Sequence, residues 1–132
     1  MSLITLKQGL DMAEDGNYAL GMFNIISLEY AEAVVRAAER VNLPVILGFP
    51  ESFFKYHDVE MMGPLLVRFA ERSTVPCVVH IDHGVDYNLL MKSLKYGFTS
   101  IMFDGSALPH KENIEKTREI VKAAHAFGAS VE

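Results

Sequence analysis

The spacing of apolar residues changes repeatedly along the chain, between the 3.6-residue period of amphipathic helices and short, nearly continuous apolar runs. Thr5 to about Glu14 predicts a helix, closed by the turn Asp15-Gly16-Asn17, and Ala19 to Ile25 then reads as a buried strand. Ser27 stands as N-cap of an Ala-rich helix running to about Arg40. Pro44 to Phe49 is a second strand, apolar on both faces, and a loop from Pro50 to His57 leads into a helix over Val59 to Arg72. Pro76 to Ile81 predicts strand three, Tyr87 to Lys95 a helix ended near Gly97, and Thr99 to Phe103 strand four. Glu112 to about Phe127 forms the last helix, ended by Gly128, and Ala129 to Glu132 begins a fifth strand.

A strand-helix repeat of about 20 to 35 residues with fully apolar strands implies a parallel sheet covered by helices. A doubly wound open sheet and a (β/α)8 barrel both satisfy that pattern. Length then changes the picture: 132 residues make one domain, whereas a complete (β/α)8 barrel needs roughly 250.

Charge narrows the function classes. The chain carries 12 Lys and Arg against 17 Asp and Glu, a net charge of -5, and the basic residues are scattered rather than striped. No phosphate backbone is neutralised by such a surface, so a nucleic-acid partner is not expected. No apolar run approaches the roughly 20 residues of a membrane span, and the opening Met-Ser-Leu-Ile-Thr-Leu-Lys lacks the layout of a signal peptide. Cys77 has no internal disulfide partner. A cytoplasmic location and no membrane contact follow as expectations.

Both candidate architectures put functional groups just past the C-terminal ends of the strands. Those positions hold Asn24, Pro50-Glu51, His80-Ile81-Asp82-His83-Gly84 and Asp104-Gly105-Ser106. Alternation puts His80 and Asp82 on one strand face, and the chain must then turn for His83 to point over the sheet top. An imidazole beside a carboxylate suits metal ligation or general acid-base work. The same residue types also suit a buried, hydrogen-bonded His80 and an Asp82 that caps the next helix. Asp104-Gly105-Ser106 reads equally as a plain turn, and Asn24 as a ligand contact or a loop tie. No glycine-rich phosphate loop follows strand one, which weighs against a nicotinamide site.

Val78-Val79-His80-Ile81-Asp82-His83-Gly84, followed by Gly97-Phe98-Thr99-Ser100-Ile101-Met102-Phe103-Asp104-Gly105-Ser106, resembles the class II, zinc-dependent ketose-bisphosphate aldolases, a family of (β/α)8 barrels. Met22-Phe23-Asn24-Ile25, Pro44-Val45-Ile46, Glu112-Asn113 through Thr117, Ala124-His125, Gly128 and Val131-Glu132 continue the likeness in register. The resemblance implies that residues 1–132 form the N-terminal half of a single TIM-barrel domain, with βα units one to four and the start of strand five. It implies a lyase that cleaves or condenses a ketose (bis)phosphate in carbohydrate metabolism and glycolysis, giving dihydroxyacetone phosphate and an aldehyde.

By the same likeness His83 is a ligand of the catalytic Zn2+, and Asp82 is the catalytic acid or base at the hydroxyl of the bond cleaved. Asp104 is a ligand in a second metal position, Asn24 contacts substrate, and Glu132 matches the first Glu of a Glu-x-Glu-Leu-Gly signature and is placed among the metal ligands. A monovalent cation and a homodimer or homotetramer are implied as well. One departure stands out: Pro50-Glu51-Ser52 occupies the place of a substrate-contacting Ser-x-Gly loop. A prolyl nitrogen has no donor, so altered specificity is expected there. The competing expectation is a non-catalytic sugar-phosphate-binding or regulatory relative that keeps the barrel. With one ligand histidine, the 132-residue chain by itself is expected to be inactive.

Overall fold

The computed structural model describes residues 2–132; Met1, the first residue of the domain expected over 1–132, lies outside the described residues. Five strands form one all-parallel sheet in the order β1-β2-β3-β4-β5, with helices between them. The strands are β1 (Met22–Asn24), β2 (Val45–Pro50), β3 (Cys77–Gly84), β4 (Ser100–Phe103) and β5 (Ser130–Val131). The helices are α1 (Leu6–Asp15), α2 (Leu28–Val41), α3 (Val59–Arg72), α4 (Tyr87–Lys95) and α5 (His110–Ala126), with a short 3-10 turn over Glu51–Phe53.

Local chemistry sets the helix starts. Thr5 and Gln8 make a reciprocal capping box at α1, and the Ser27 hydroxyl accepts the Tyr30 N–H at α2. Asp58 and Asp86 cap α3 and α4 in the same way. Asp82, weighed above as a cap, does not cap α4; Asp86 takes that place because β3 continues through Gly84. Asn42 ends α2 in the left-handed region at φ 54°. Strand one is shorter than its apolar run because only Met22, Phe23 and Asn24 pair in register with β2, flanked by single hydrogen bonds at Gly21 and Ile25.

Parallel register puts paired residues on a common face. Val45, Leu47, Phe49, Cys77, Val79, Ile81, Ile101 and Phe103 point outward, under Ala31, Val35, Leu66, Ala70, Leu90, Leu94, Ile120 and Ala124 of the helices. The opposite face changes character along its height. At its lower end Ile46 and Val78 pack with Ile4, Leu6 and Leu20, so the N-terminal segment and α1 close that end. The next layer is Asn24, Gly48, His80, Ser100 and Ser130, paired strand by strand. Above it, Pro50 pairs with Asp82. The inner face therefore passes from apolar floor to polar rim within two layers.

Candidate active site

The centre of the rim is built where β3 breaks its own alternation. A regular strand would send Asp82 inward and His83 back under the helices. Instead the β3–β4 register shifts between Ile81 and Gly84, and His83 takes a left-handed φ of 51°. Such a bulge re-aims a side chain at a local conformational cost. The next residue has to be glycine, since a Cβ at Gly84 would lie 2.9 Å from the Met102 carbonyl oxygen.

As a result two consecutive residues serve one site. His83 Nδ1 lies 2.8 Å from Asp104 Oδ2, while its Nε2 lies 3.9 Å from Asp82 Oδ1. Asp104 Oδ1 accepts the Ser106 backbone N–H at 3.0 Å, which fixes the carboxylate from its other side. The Ser106 and His83 side chains, joined by that backbone N–H, pull the Asp104 carboxyl down to about 2. The hydrogen bond to Asp104, then the charge of Asp82, raise His83 above its ordinary value, and Glu132 adds to the effect. With Asp104 ionised, Nδ1–H donates to it and Nε2 is the nitrogen presented to the rim.

A layer lower, His80 is fully buried, with Nδ1 2.8 Å from Ser100 Oγ. Burial, partly opposed by the charge of Asp82, lowers its pKa to about 4, so the ring is neutral at physiological pH. Its Nε2 is 3.3 Å from Glu132 Oε2 but off the line of a hydrogen bond, leaving that nitrogen without a partner among the described residues. A neutral imidazole makes no ion pair, so this contact is a close polar approach rather than a salt bridge. His80 is thus the buried, hydrogen-bonded histidine that residue types alone left as one of two choices.

Asn24 sits at the end of β1, exposed, with its amide leaning over Gly48: a Cβ there would fall 2.8 Å from Asn24 Oδ1. Asp82, His83 and Asp104 are thus in direct association, Glu132 lies beside His80 and acts on His83 only through its charge, and Asn24 stands two strands away. Among the described residues no group of three or more His, Cys, Asp or Glu side chains is arranged to hold a metal ion. The donor set fits a metal in part. A ligating histidine characteristically donates its other ring N–H to a carboxylate, which is what His83 does with Asp104. A cavity of about 420 Å³ between α2 and α3, lined in part by Arg36, Glu39, Arg68 and Arg72, shares no residue with the rim.

A parallel α/β sheet with an acid–histidine–acid cluster at its C-terminal rim is compatible with an open sheet or with part of a barrel, and the relatives of the chain decide between them. Residues 4–132 match the family model "Fructose-bisphosphate aldolase class-II", and the chain belongs to that family. It is 40% identical to the fructose-bisphosphate aldolase of Geobacillus stearothermophilus and 37% identical to the probable fructose-bisphosphate aldolase of Bacillus subtilis (strain 168). In each case all of this chain aligns to 47% of the relative, so the chain spans about half the length of the curated relatives it matches. The YdjI aldolase of Escherichia coli K12 superposes with a TM-score of 0.91 at 32% identity, over 98% of this chain and 50% of that one. The fructose-bisphosphate aldolase of Campylobacter jejuni shares the fold (TM-score 0.75, 21% identity, 98% of this chain and 46% of that one). The fold is thus half of a (β/α)8 barrel.

The roles of two residues escaped the sequence, although it placed Glu51 at the rim and Ser100 in the motif. The rim loop after β3 is held by Glu51, whose carboxylate accepts the N–H groups of Val85 and Asp86 at 2.6 and 3.1 Å. Ser100 is the other, as the hydroxyl partner of His80. Neither had a local signal, because each partner lies 20 or more residues away in sequence.

Proposed function

We propose that the full-length protein containing this chain is a metal-dependent aldolase. It would cleave a ketose phosphate or bisphosphate to dihydroxyacetone phosphate and an aldehyde, and run the condensation in reverse. The observation that carries this is the His83–Asp104 pair with Asp82 beside the free Nε2, at the rim where barrels do chemistry. His83 would ligate zinc through Nε2, held in that tautomer by Asp104. When bound, zinc supplies Lewis-acid polarisation of the substrate carbonyl.

Asp82, nearly buried and fixed by pairing opposite Pro50, takes the proton from the hydroxyl at the breaking bond and returns it in the condensation. Asn24 binds a substrate hydroxyl or carbonyl at the neighbouring strand end. Asp104 and Glu132 are the side chains for a second metal position. The remaining zinc ligands would come from the other half of the barrel, since no third His, Cys, Asp or Glu joins His83 in a metal-holding group among the described residues. So would the cationic groups for phosphate, since no Lys or Arg is among the rim positions described above. A monovalent cation, a homodimer or homotetramer, a cytoplasmic location and a role in glycolysis complete the proposal. No helix of the described residues is long and apolar enough to cross a membrane.

Pro50 favours one refinement. It ends β2 next to Asp82 and offers the substrate no N–H and no hydroxyl. We infer a preference for a sugar phosphate other than fructose 1,6-bisphosphate. Full-length protein assayed by coupled dihydroxyacetone phosphate release should cleave at least one ketose phosphate, lose activity to a chelator and regain it with zinc. No cleavage of any ketose phosphate in a panel would overturn the aldolase assignment in favour of a binding relative. Full turnover of fructose 1,6-bisphosphate would remove the specificity inference alone.

A further inference from the structure

The turn that carries His83 has an unusual anchor. After the bulge the chain leaves β3 with Gly84 still tied to β4, its carbonyl accepting the Asp104 N–H at 2.8 Å. Val85 and Asp86 then cross to α4 exposed to solvent. Asp86 caps α4, accepting from Asn88 and Leu89. A complete capping box also needs a side chain, three residues on, that reaches back to the N–H of the cap. Helix α1 has one, with Gln8 returning to Thr5. Helix α4 has Leu89 in that position, which has no polar atom to return.

Glu51 fills the gap from the 3-10 turn that follows β2. Its Oε2 accepts both the Asp86 N–H and the Val85 N–H, at 3.1 and 2.6 Å. Glu51 is itself fixed, because the 3-10 turn that starts with it is pinned by Phe53 and Phe54 against Phe49, at ring separations of 6.0 and 4.7 Å. One anchored carboxylate thus closes the exit of the bulge two residues after His83.

We propose that Glu51 is a positioning residue of the active site: it holds the Val85–Asp86 turn and so keeps His83 in its left-handed, rim-facing conformation. This rests on the aldolase reading for its effect on turnover, but not for the contact itself. At the place where a substrate-contacting loop would stand, the turn after β2 commits its first residue, an acid, to the catalytic turn instead.

Three substitutions in the full-length protein test this. Glu51→Gln keeps an oxygen that accepts both N–H groups without the charge, Glu51→Asp keeps the charge but shortens the reach, and Glu51→Ala removes both. Expected is a fall in kcat of about 10- to 100-fold for Glu51→Ala and Glu51→Asp with KM changed less than about twofold, and recovery to within about threefold of wild type for Glu51→Gln. Amide exchange at Val85 and Asp86, followed by NMR, should accelerate about tenfold in the first two variants and stay slow in the third. Should Glu51→Ala fail to fold, the Asp and Gln pair carries the same comparison. Wild-type kcat in Glu51→Asp overturns the proposal. So does a Glu51→Gln variant as impaired as Glu51→Ala with a raised KM, which would make the charge a substrate contact. If the wild-type protein cleaves no ketose phosphate, the functional reading fails and the exchange measurement alone decides the role of Glu51.

Discussion

The two ends of the inner sheet face use the same strands for opposite purposes. At the lower end Ile46 and Val78 are covered by Ile4, Leu6 and Leu20 in an apolar cluster. One layer up, the same β2 and β3 present Gly48, His80, Pro50 and Asp82. The floor is satisfied by exclusion of water alone. The rim needs named partners: Ser100 for His80, Asp104 for His83, Ser106 for Asp104. The contrast shows that stability and chemistry are stacked along the strand axis, with His80 as the layer where one gives way to the other.

Three experiments sharpen or break that division. The largest effect is expected at the rim: Asp82→Asn in the full-length protein should cut kcat by about 10²- to 10⁴-fold, with the thermal midpoint unmoved. Turnover within tenfold of wild type would mean that Asp82 is not the proton acceptor. At the floor, Ile46→Ala should cost about 2 to 4 kcal/mol of stability by denaturant titration and leave kcat per folded molecule intact. A kcat loss without destabilisation would dissolve the distinction between the layers.

The smallest effect concerns titration. In metal-free protein the His83 midpoint, followed by NMR, should lie above its ordinary 6.5 and move down in Asp104→Asn. The sign follows from linkage. A raised histidine adds stability that is fully present below its unfolded pKa and is lost as pH rises through the folded one. Asp104, held down to about 2, adds stability present above its ordinary 3.8 and lost as pH falls toward 2. The pair is therefore strongest between the ordinary values of the two groups, 3.8 and 6.5, and weakens as pH rises on through the His83 midpoint; an unchanged midpoint in the variant would separate His83 from Asp104.

Much of this was legible in the sequence, for physical reasons that differ by element. The apolar strands β2 and β3 announced a sheet covered by helices, because no half-wet sheet tolerates that many apolar residues in a row. The family motif located Asp82, His83 and Asp104, which the structure brings together. Strand one is shorter than its apolar run predicts, since Ala19 and Leu20 are as apolar as a strand but are not paired with β2, whose last contact on that side is the Ile46 N–H donated to the Gly21 carbonyl. Asp82 as a helix cap failed because a cap must be the residue where strand geometry has already ended, and the bulge delays that point to Asp86. The Glu51 anchor was invisible because its donors lie 34 and 35 residues away.

The bulge at His83 also bears on how this site tolerates genetic change. In most exposed turns a one-residue insertion or deletion merely lengthens or shortens the connection. Between Ile81 and Gly84 such a change would restore plain alternation and rotate either the acid or the histidine into the helix layer, abolishing the pair in one step. Beyond Asp82, His83 and Gly84, point substitutions can drift in the residues flanking this segment, but its length cannot. Lineages that retain the chemistry are expected to vary freely in the loop after Phe53 while keeping the count of residues from His80 to Asp86 unaltered.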